Sequence, residues 1–291
     1  MVARSSILLH IGTHKTATTS LQSIFTQHRV QLHDQGILYP RAGVPIDGSG
    51  IDHHTNIAWE LLGHFMFDRR LGTLDDLIDE IGASDCENVL LSSEEFSCLF
   101  GHPAELLRLK SRFEDAGLSP HIVVTLRDVD TYADSLYVTL ASFGFNVSYA
   151  EYLERVAAEG QVTVRQNTYC FDYELLVRSF TEAFGSRAVT CIDFDPRDAI
   201  SPFLGACDWF FDGALTGTDL TVRTNTMMHR IEDLRNRVRI GQERIDSLEI
   251  EVEELHVALD GFRGALAASE GRLSRRIGRT VRSAVQRRPA P

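Results

Sequence analysis

Ile7-Leu8-Leu9-His10-Ile11-Gly12-Thr13-His14-Lys15-Thr16-Ala17-Thr18-Thr19-Ser20-Leu21 is the stretch from which the rest of the chain is read. A short apolar run closes on Gly12, a polar turn with one lysine follows, and a cluster of hydroxyl residues opens a helical segment. Strand, tight turn and helix start together form an anion cradle, because unpaired backbone N–H groups and the helix dipole point at one spot. Lys15 adds a full positive charge at its rim. Of the 29 basic residues only Lys15 and Lys110 are lysine. In so arginine-rich a chain, a lysine in this loop suggests that the site needs a compact ammonium rather than a planar fork.

Outward from the loop, residues 16–35 read as one helix, with Leu21, Ile24 and Phe25 on one face. A short extended piece ends at Pro40, and a loop rich in glycine and proline runs to residue 51. Helical stretches are expected over 57–67 and 74–81, followed by the continuous apolar run Val89-Leu90-Leu91. Such a run suits a parallel strand covered on both faces. A helix over 103–116, a strand over 121–126, helices over 128–143, 149–158 and 173–184, and a last strand over 188–194 complete the pattern. Strands alternating with helices imply an α/β fold with a parallel central sheet, right-handed crossovers and ligands at the carboxyl ends of the strands. Gly12, Ser92 and Arg127 all fall at such ends and are expected to share one crevice.

The loop does not follow the nucleoside-triphosphate pattern GxxxxGK[ST], where the lysine follows a glycine directly. Its lysine comes three residues after Gly12 and the hydroxyls trail it. That order resembles the 5′-phosphosulfate loop of the sulfotransferases, PKTGTT or HKTGTT before a hydrophobic residue. Ala17 stands where the family usually has glycine, so this position is expected to carry helical dihedrals, since alanine makes a left-handed turn costly. A second stretch, from Arg127 to Tyr137, resembles the family's 3′-phosphate motif. An arginine follows a strand, Ser135 lies eight residues on within a helix, and Tyr137 two further; Val129 replaces a common proline. A strand-end guanidinium can fork onto a phosphate, and a serine one to two turns into the next helix adds a donor.

The resemblance implies a three-layer, P-loop-like fold and the cofactor 3′-phosphoadenosine 5′-phosphosulfate (PAPS), with no metal required. It places Thr13, His14, Lys15, Thr16, Ala17, Thr18, Thr19 and Ser20 around the phosphosulfate, and Arg127 and Ser135 on the 3′-phosphate. Lys15 would neutralise charge growing on the leaving phosphate during in-line transfer. A hydroxyl acceptor also needs a general base. Glu94, just after a strand, is the first choice, with Glu95 a near competitor. His53 and His54 are further acceptor-side candidates in a loop.

Composition bounds the alternatives. The chain has 291 residues, enough for one sizeable α/β domain plus an appendage. Its five cysteines are odd in number and form no CxxC pair, which suits reduced thiols in a cytoplasmic setting. Residues 271–291 hold seven arginines and no acid; with the whole chain at −12, the preceding 270 residues carry −19. So acidic a body is a poor general nucleic-acid binder.

Three segments are expected: a catalytic domain over 1–222, a coiled coil over 226–270 and a basic amphipathic tail over 271–291. Ile231, Val238, Ile245, Val252, Leu259 and Leu266 fall seven apart, with Leu234, Gly241, Leu248, Leu255 and Phe262 three later. Heptads of this kind favour a parallel homodimer, a helix folded back on the domain being the alternative. The tail suits an anionic membrane surface, which would make the protein peripheral at the inner face, or equally an acidic partner such as the acidic body of its own dimer mate, a solvated tail being the alternative. Two other functions compete with transfer to a hydroxyl of a carbohydrate or lipid-linked acceptor. One is a P-loop kinase or nucleotide hydrolase, opposed by the early lysine and the missing GK[ST]. The other is a non-catalytic coiled-coil scaffold with a relic loop, opposed by intact Lys15, Arg127 and Ser135.

Overall fold

The computed structural model describes residues 5–45 and 51–215. The expected coiled coil over 226–270 and the basic tail over 271–291 lie outside the described residues. Five parallel strands form the central sheet: β1 (Ser5–His10), β2 (Ile37–Leu38), β3 (Asn88–Ser92), β4 (Leu118–Leu126) and, after a hairpin described below, β7 (Val189–Asp193). Their order is β2-β3-β1-β4-β7. The chain therefore builds one flank of β1 first and then crosses to the other, so the switch point lies at the carboxyl end of β1.

Side-chain alternation along these strands supplies both faces of the sheet. Ile7, Leu9, Val89, Leu91, Ile122 and Val124 point to one core, while Leu8, Leu90 and Val123 point to the other. The first core is closed by α3 (Thr55–Leu62), α4 (Leu74–Ala83), α5 (Pro103–Asp115) and the later α8 (Tyr173–Phe184). The second is closed by α1 (Thr18–Gln27), α2 (Arg29–Asp34), α9 (Ser201–Ala206) and α10 (Asp208–Phe211). Each large aliphatic side chain buried this way contributes about 1.5–3 kcal/mol before the entropy of ordering it is counted. Helix ends follow their local chemistry. Thr73 and Asp76 form a reciprocal capping box at α4, and Pro103 opens α5.

The sequence-based boundaries need four corrections. The helix expected over 16–35 is two, since α1 begins only at Thr18 and breaks at His28 before α2. The helix expected over 57–67 ends at Leu62, where Gly63 turns left-handed at φ 59°. Residues Glu94–Gly101 form a 3-10 helix after β3. Finally, β5 (Gln161–Val164) and β6 (Asn167–Cys170) make an antiparallel hairpin the sequence reading left out. It packs with α6 (Val129–Ser142) and α7 (Tyr149–Glu159) around Tyr132, Leu136, Tyr152 and Phe171. Among the described residues no helix is long and apolar enough to cross a membrane.

Candidate functional site

The switch point is built by three strand ends in register. His10 closes β1 opposite Ser92 of β3, and the chain beyond β1 continues along β4 through Ile11 N–H to Val123 O and Thr13 N–H to Thr125 O, both 2.9 Å. Between Thr13 and α1 the backbone turns sharply, with Lys15 at φ 69° and Ala17 at φ 56°, ψ 27°. The expectation of helical dihedrals at Ala17 is therefore wrong: it is the N-cap residue of α1 and is left-handed. A non-glycine residue there costs about 1–2 kcal/mol, and such strain persists only where the surroundings enforce it. Ala17 supplies no side-chain cap to α1, so the first N–H groups of that helix are left without a capping side chain.

Gly12 is needed for space. A Cβ there would lie 3.0 Å from Thr16 Oγ1 and 3.2 Å from His10 Nε2. The loop is braced from inside. Thr16 Oγ1 donates to Thr13 O at 2.6 Å and lies 3.3 Å from Thr18 Oγ1, and Thr13 Oγ1 donates to Thr125 O at 3.3 Å. The hydroxyls of Thr13 and Thr16 thus hold the loop's shape. Ser20 and Thr18 are buried, Thr19 half-buried. Burial pushes the Lys15 ammonium below its ordinary range, the Arg127 charge adds to this, and Glu94 opposes it.

Arg127, at the end of β4, reaches the same loop. Its Nη1 donates to the Lys15 carbonyl at 2.9 Å, its Nε to Thr131 Oγ1 at 3.2 Å, and its guanidinium lies 5.5 Å from the Phe194 ring centre. Tyr173 of α8 fixes the Arg127 backbone through its hydroxyl, at 2.7 Å. Ser135 sits half-buried in α6. Tyr137 turns elsewhere, donating to Val147 O at 2.9 Å within the aromatic cluster of α6 and α7.

The exit of β3 brings the two carboxylates in, with different partners. Gln22 Nε2 of α1 donates to Glu94 Oε2 at 3.2 Å. Glu95 pairs with His14, Nε2 to Oε1 3.3 Å, and both side chains are largely buried. Burial alone would lower the His14 pKa, but the Glu95 charge and hydrogen bond outweigh it and hold His14 above its ordinary value. Burial alone would raise Glu95; His14 brings it below. Tyr169 of β6 packs edge-on against the His14 ring at 4.9 Å. Sequence reasoning missed Tyr169, whose only signal was the alternation of the hairpin.

The two loop histidines separate. His53 is half-buried, its Nδ1 2.7 Å from Thr55 Oγ1, which in turn meets Ser93 Oγ at 2.8 Å. His54 is fully buried. Its Nδ1 accepts from Ser92 N–H at 3.1 Å and its Nε2 donates to Pro40 O at 3.2 Å. With both nitrogens engaged and its pKa lowered to about 3 by burial, His54 is a strut of the β3 exit rather than an acceptor contact. His10 is likewise buried, bonded through Nδ1 to Ser92 Oγ at 3.0 Å, with a pKa near 3 through desolvation.

No protein-family model and no curated protein matches the chain. A solved sulfotransferase from Alicyclobacillus acidocaldarius is similar to it at 20% identity and a TM-score of 0.43, over 76% of this chain and 87% of that one. A superposition that loose carries no argument about chemistry.

Proposed function

We propose that this chain is a sulfotransferase that moves a sulfuryl group from PAPS to a hydroxyl acceptor, without a required metal. The observation that carries this is the 2.9 Å hydrogen bond from Arg127 to the Lys15 carbonyl. It ties together the two stretches that resemble the family's 5′ and 3′ motifs, 112 residues apart, so that one ligand with two anionic ends could span them.

The residues present fit such a ligand. Gly12 lets the loop pack tightly against Thr16 and His10, Lys15 and Ala17 are left-handed, and the start of α1 has no side-chain cap. The backbone of Thr16, Ala17, Thr18 and Thr19, with the Ser20 hydroxyl, would hold the 5′ end, and Arg127 and Ser135 the 3′-phosphate. When bound, PAPS supplies an activated sulfuryl group. Lys15, whose ammonium is partly desolvated, would be the residue to neutralise charge growing on the leaving phosphate. Glu94, oriented by Gln22, takes the acceptor's proton. Glu95 is engaged with His14 and acts by positioning that side of the loop. A carbohydrate hydroxyl is the acceptor we favour, with dimerisation through 226–270 and membrane contact through 271–291 part of the same proposal.

The test is thermal stabilisation by adenosine 3′,5′-bisphosphate against ATP with magnesium, on wild type and Arg127→Ala. Bisphosphate at a hundred times its dissociation constant adds about 2.7 kcal/mol if it binds only the folded state. That gain, absent in Arg127→Ala and absent with ATP and magnesium, supports the proposal. Stabilisation by ATP and magnesium alone would replace it with a kinase or hydrolase, and no response to either would favour the scaffold.

A further inference from the structure

Far from the anion loop, three ligand-type side chains meet where the chain enters β2 and β3. In a parallel sheet these entering ends lie opposite the carboxyl ends that carry the candidate site. His33 lies in the last turn of α2, four residues before β2, while Asp85 and Cys86 lie just before β3. His33 Nε2 is 3.6 Å from Asp85 Oδ1, and Cys86 Sγ is 3.9 Å from the His33 carbonyl oxygen. The ring nitrogen, carboxylate oxygen and thiol sulfur of the three all fall within 4.8 Å of one another.

We propose that His33, Asp85 and Cys86 form a binding site for a zinc-type divalent cation that staples the lead-in of β2 to that of β3. An imidazole, a thiolate and a carboxylate are the donors zinc takes, with water completing a tetrahedron. Metal–ligand bonds of about 2.0–2.3 Å put tetrahedral ligands about 3.3–3.7 Å apart. The His33–Asp85 pair already meets this. The thiol needs a rotamer adjustment of about 1 Å toward two partners that are exposed.

The surrounding chain suits the role. Asn88 N–H donates to Gly36 O at 3.0 Å, joining the same two segments one step further in, and Cys86 N–H donates to Ser84 Oγ at 3.2 Å, which fixes the turn before β3. Cys98, Cys170 and Cys207 are buried, with thiol pKa values pushed up by desolvation, and none can present a thiolate to solvent cations. Cys191 is exposed and provides the control.

The experiment is a titration of reduced, tag-free full-length protein with Co²⁺, followed by displacement with Zn²⁺. Cobalt at this site gives thiolate-to-metal charge transfer in the near ultraviolet with tetrahedral visible bands, saturating at one equivalent. Cys86→Ser removes the charge-transfer band, and His33→Gln and Asp85→Asn, both at surface positions, each weaken binding at least about tenfold. Cys191→Ser leaves the titration unchanged. A wild type without charge transfer, a band that survives Cys86→Ser or disappears only in Cys191→Ser, or wild-type affinity in both His33→Gln and Asp85→Asn, would overturn the assignment.

Discussion

β1 and β3 end side by side, His10 opposite Ser92, yet the chain leaves them in opposite manners. After β3, Ser93 is extended, its hydroxyl accepts from Glu95 N–H at 3.2 Å, and a regular helical turn follows. After β1, Lys15 and Ala17 are both left-handed without being glycine, and α1 starts with no capping side chain. One exit is relaxed and offers carboxylates; the other is strained and offers open N–H groups. Of these two exits, the β1 exit is the strained one, and the carboxylate side chains come from its neighbour.

The largest effect that would sharpen this contrast is in Lys15→Ala. Sulfuryl transfer should fall by about 10²–10³, the cost of losing one preorganised charge-stabilising group, with little change in the urea midpoint. Next comes the division between the carboxylates. Glu94→Gln should lower kcat by at least about 100-fold. Glu95→Gln should stay within about tenfold while the His14 titration, followed by NMR, moves down, because burial is then left largely unopposed. Equal losses in the two variants would erase the distinction.

Stability against pH breaks the comparison in another way, because each exit rests on a buried neutral histidine. His10 and His54 titrate near 3 when folded and near 6.5 when unfolded. Below pH 6.5 the unfolded chain takes up the protons first. Stability should fall by about 1.4 kcal/mol per pH unit for each histidine as the pH drops toward 3. His14 has the opposite sign. Its folded pKa is raised, so its contribution is complete below 6.5 and fades as the pH rises through the folded value. Urea melts between pH 8 and 5 test this: His54→Gln should cost stability at pH 7 yet flatten the acid slope by about 1.4 kcal/mol per unit. The smallest effect is Ala17→Gly, which should stabilise the protein by about 1 kcal/mol in urea by relieving the left-handed alanine. A destabilised Ala17→Gly would remove strain from the account of the β1 exit.

The parallel sheet was legible because Val89-Leu90-Leu91 and the run from His121 to Leu126 are continuous apolar segments between helical patterns. The convergence of Gly12, Ser92 and Arg127 followed from that layout alone. The hairpin was not legible, although Gln161 to Cys170 alternates, because its turn, Arg165-Gln166, contains no glycine and puts Arg165 at φ 57°. Left-handed Ala17 was hidden for the same reason: local propensity argued against a conformation that the contacts of Thr13, Thr16 and Arg127 impose. His54 and Glu95 could not be sorted from His53 and Glu94 by sequence, since in each case adjacent residues of one type differ only in what tertiary packing brings to them.

The register of β1 has a consequence for how the protein is made. His10 bonds to a side chain 82 residues later and Thr13 to a carbonyl 112 residues later. As the chain leaves the ribosome, the central strand therefore waits without a sheet neighbour until β3 has emerged, and without its second until β4 has. Closing such long loops is slow, and an apolar strand left unpaired meanwhile is exposed to aggregation. The loop after β1, clamped to β4 through Thr13, is assembled only after that wait.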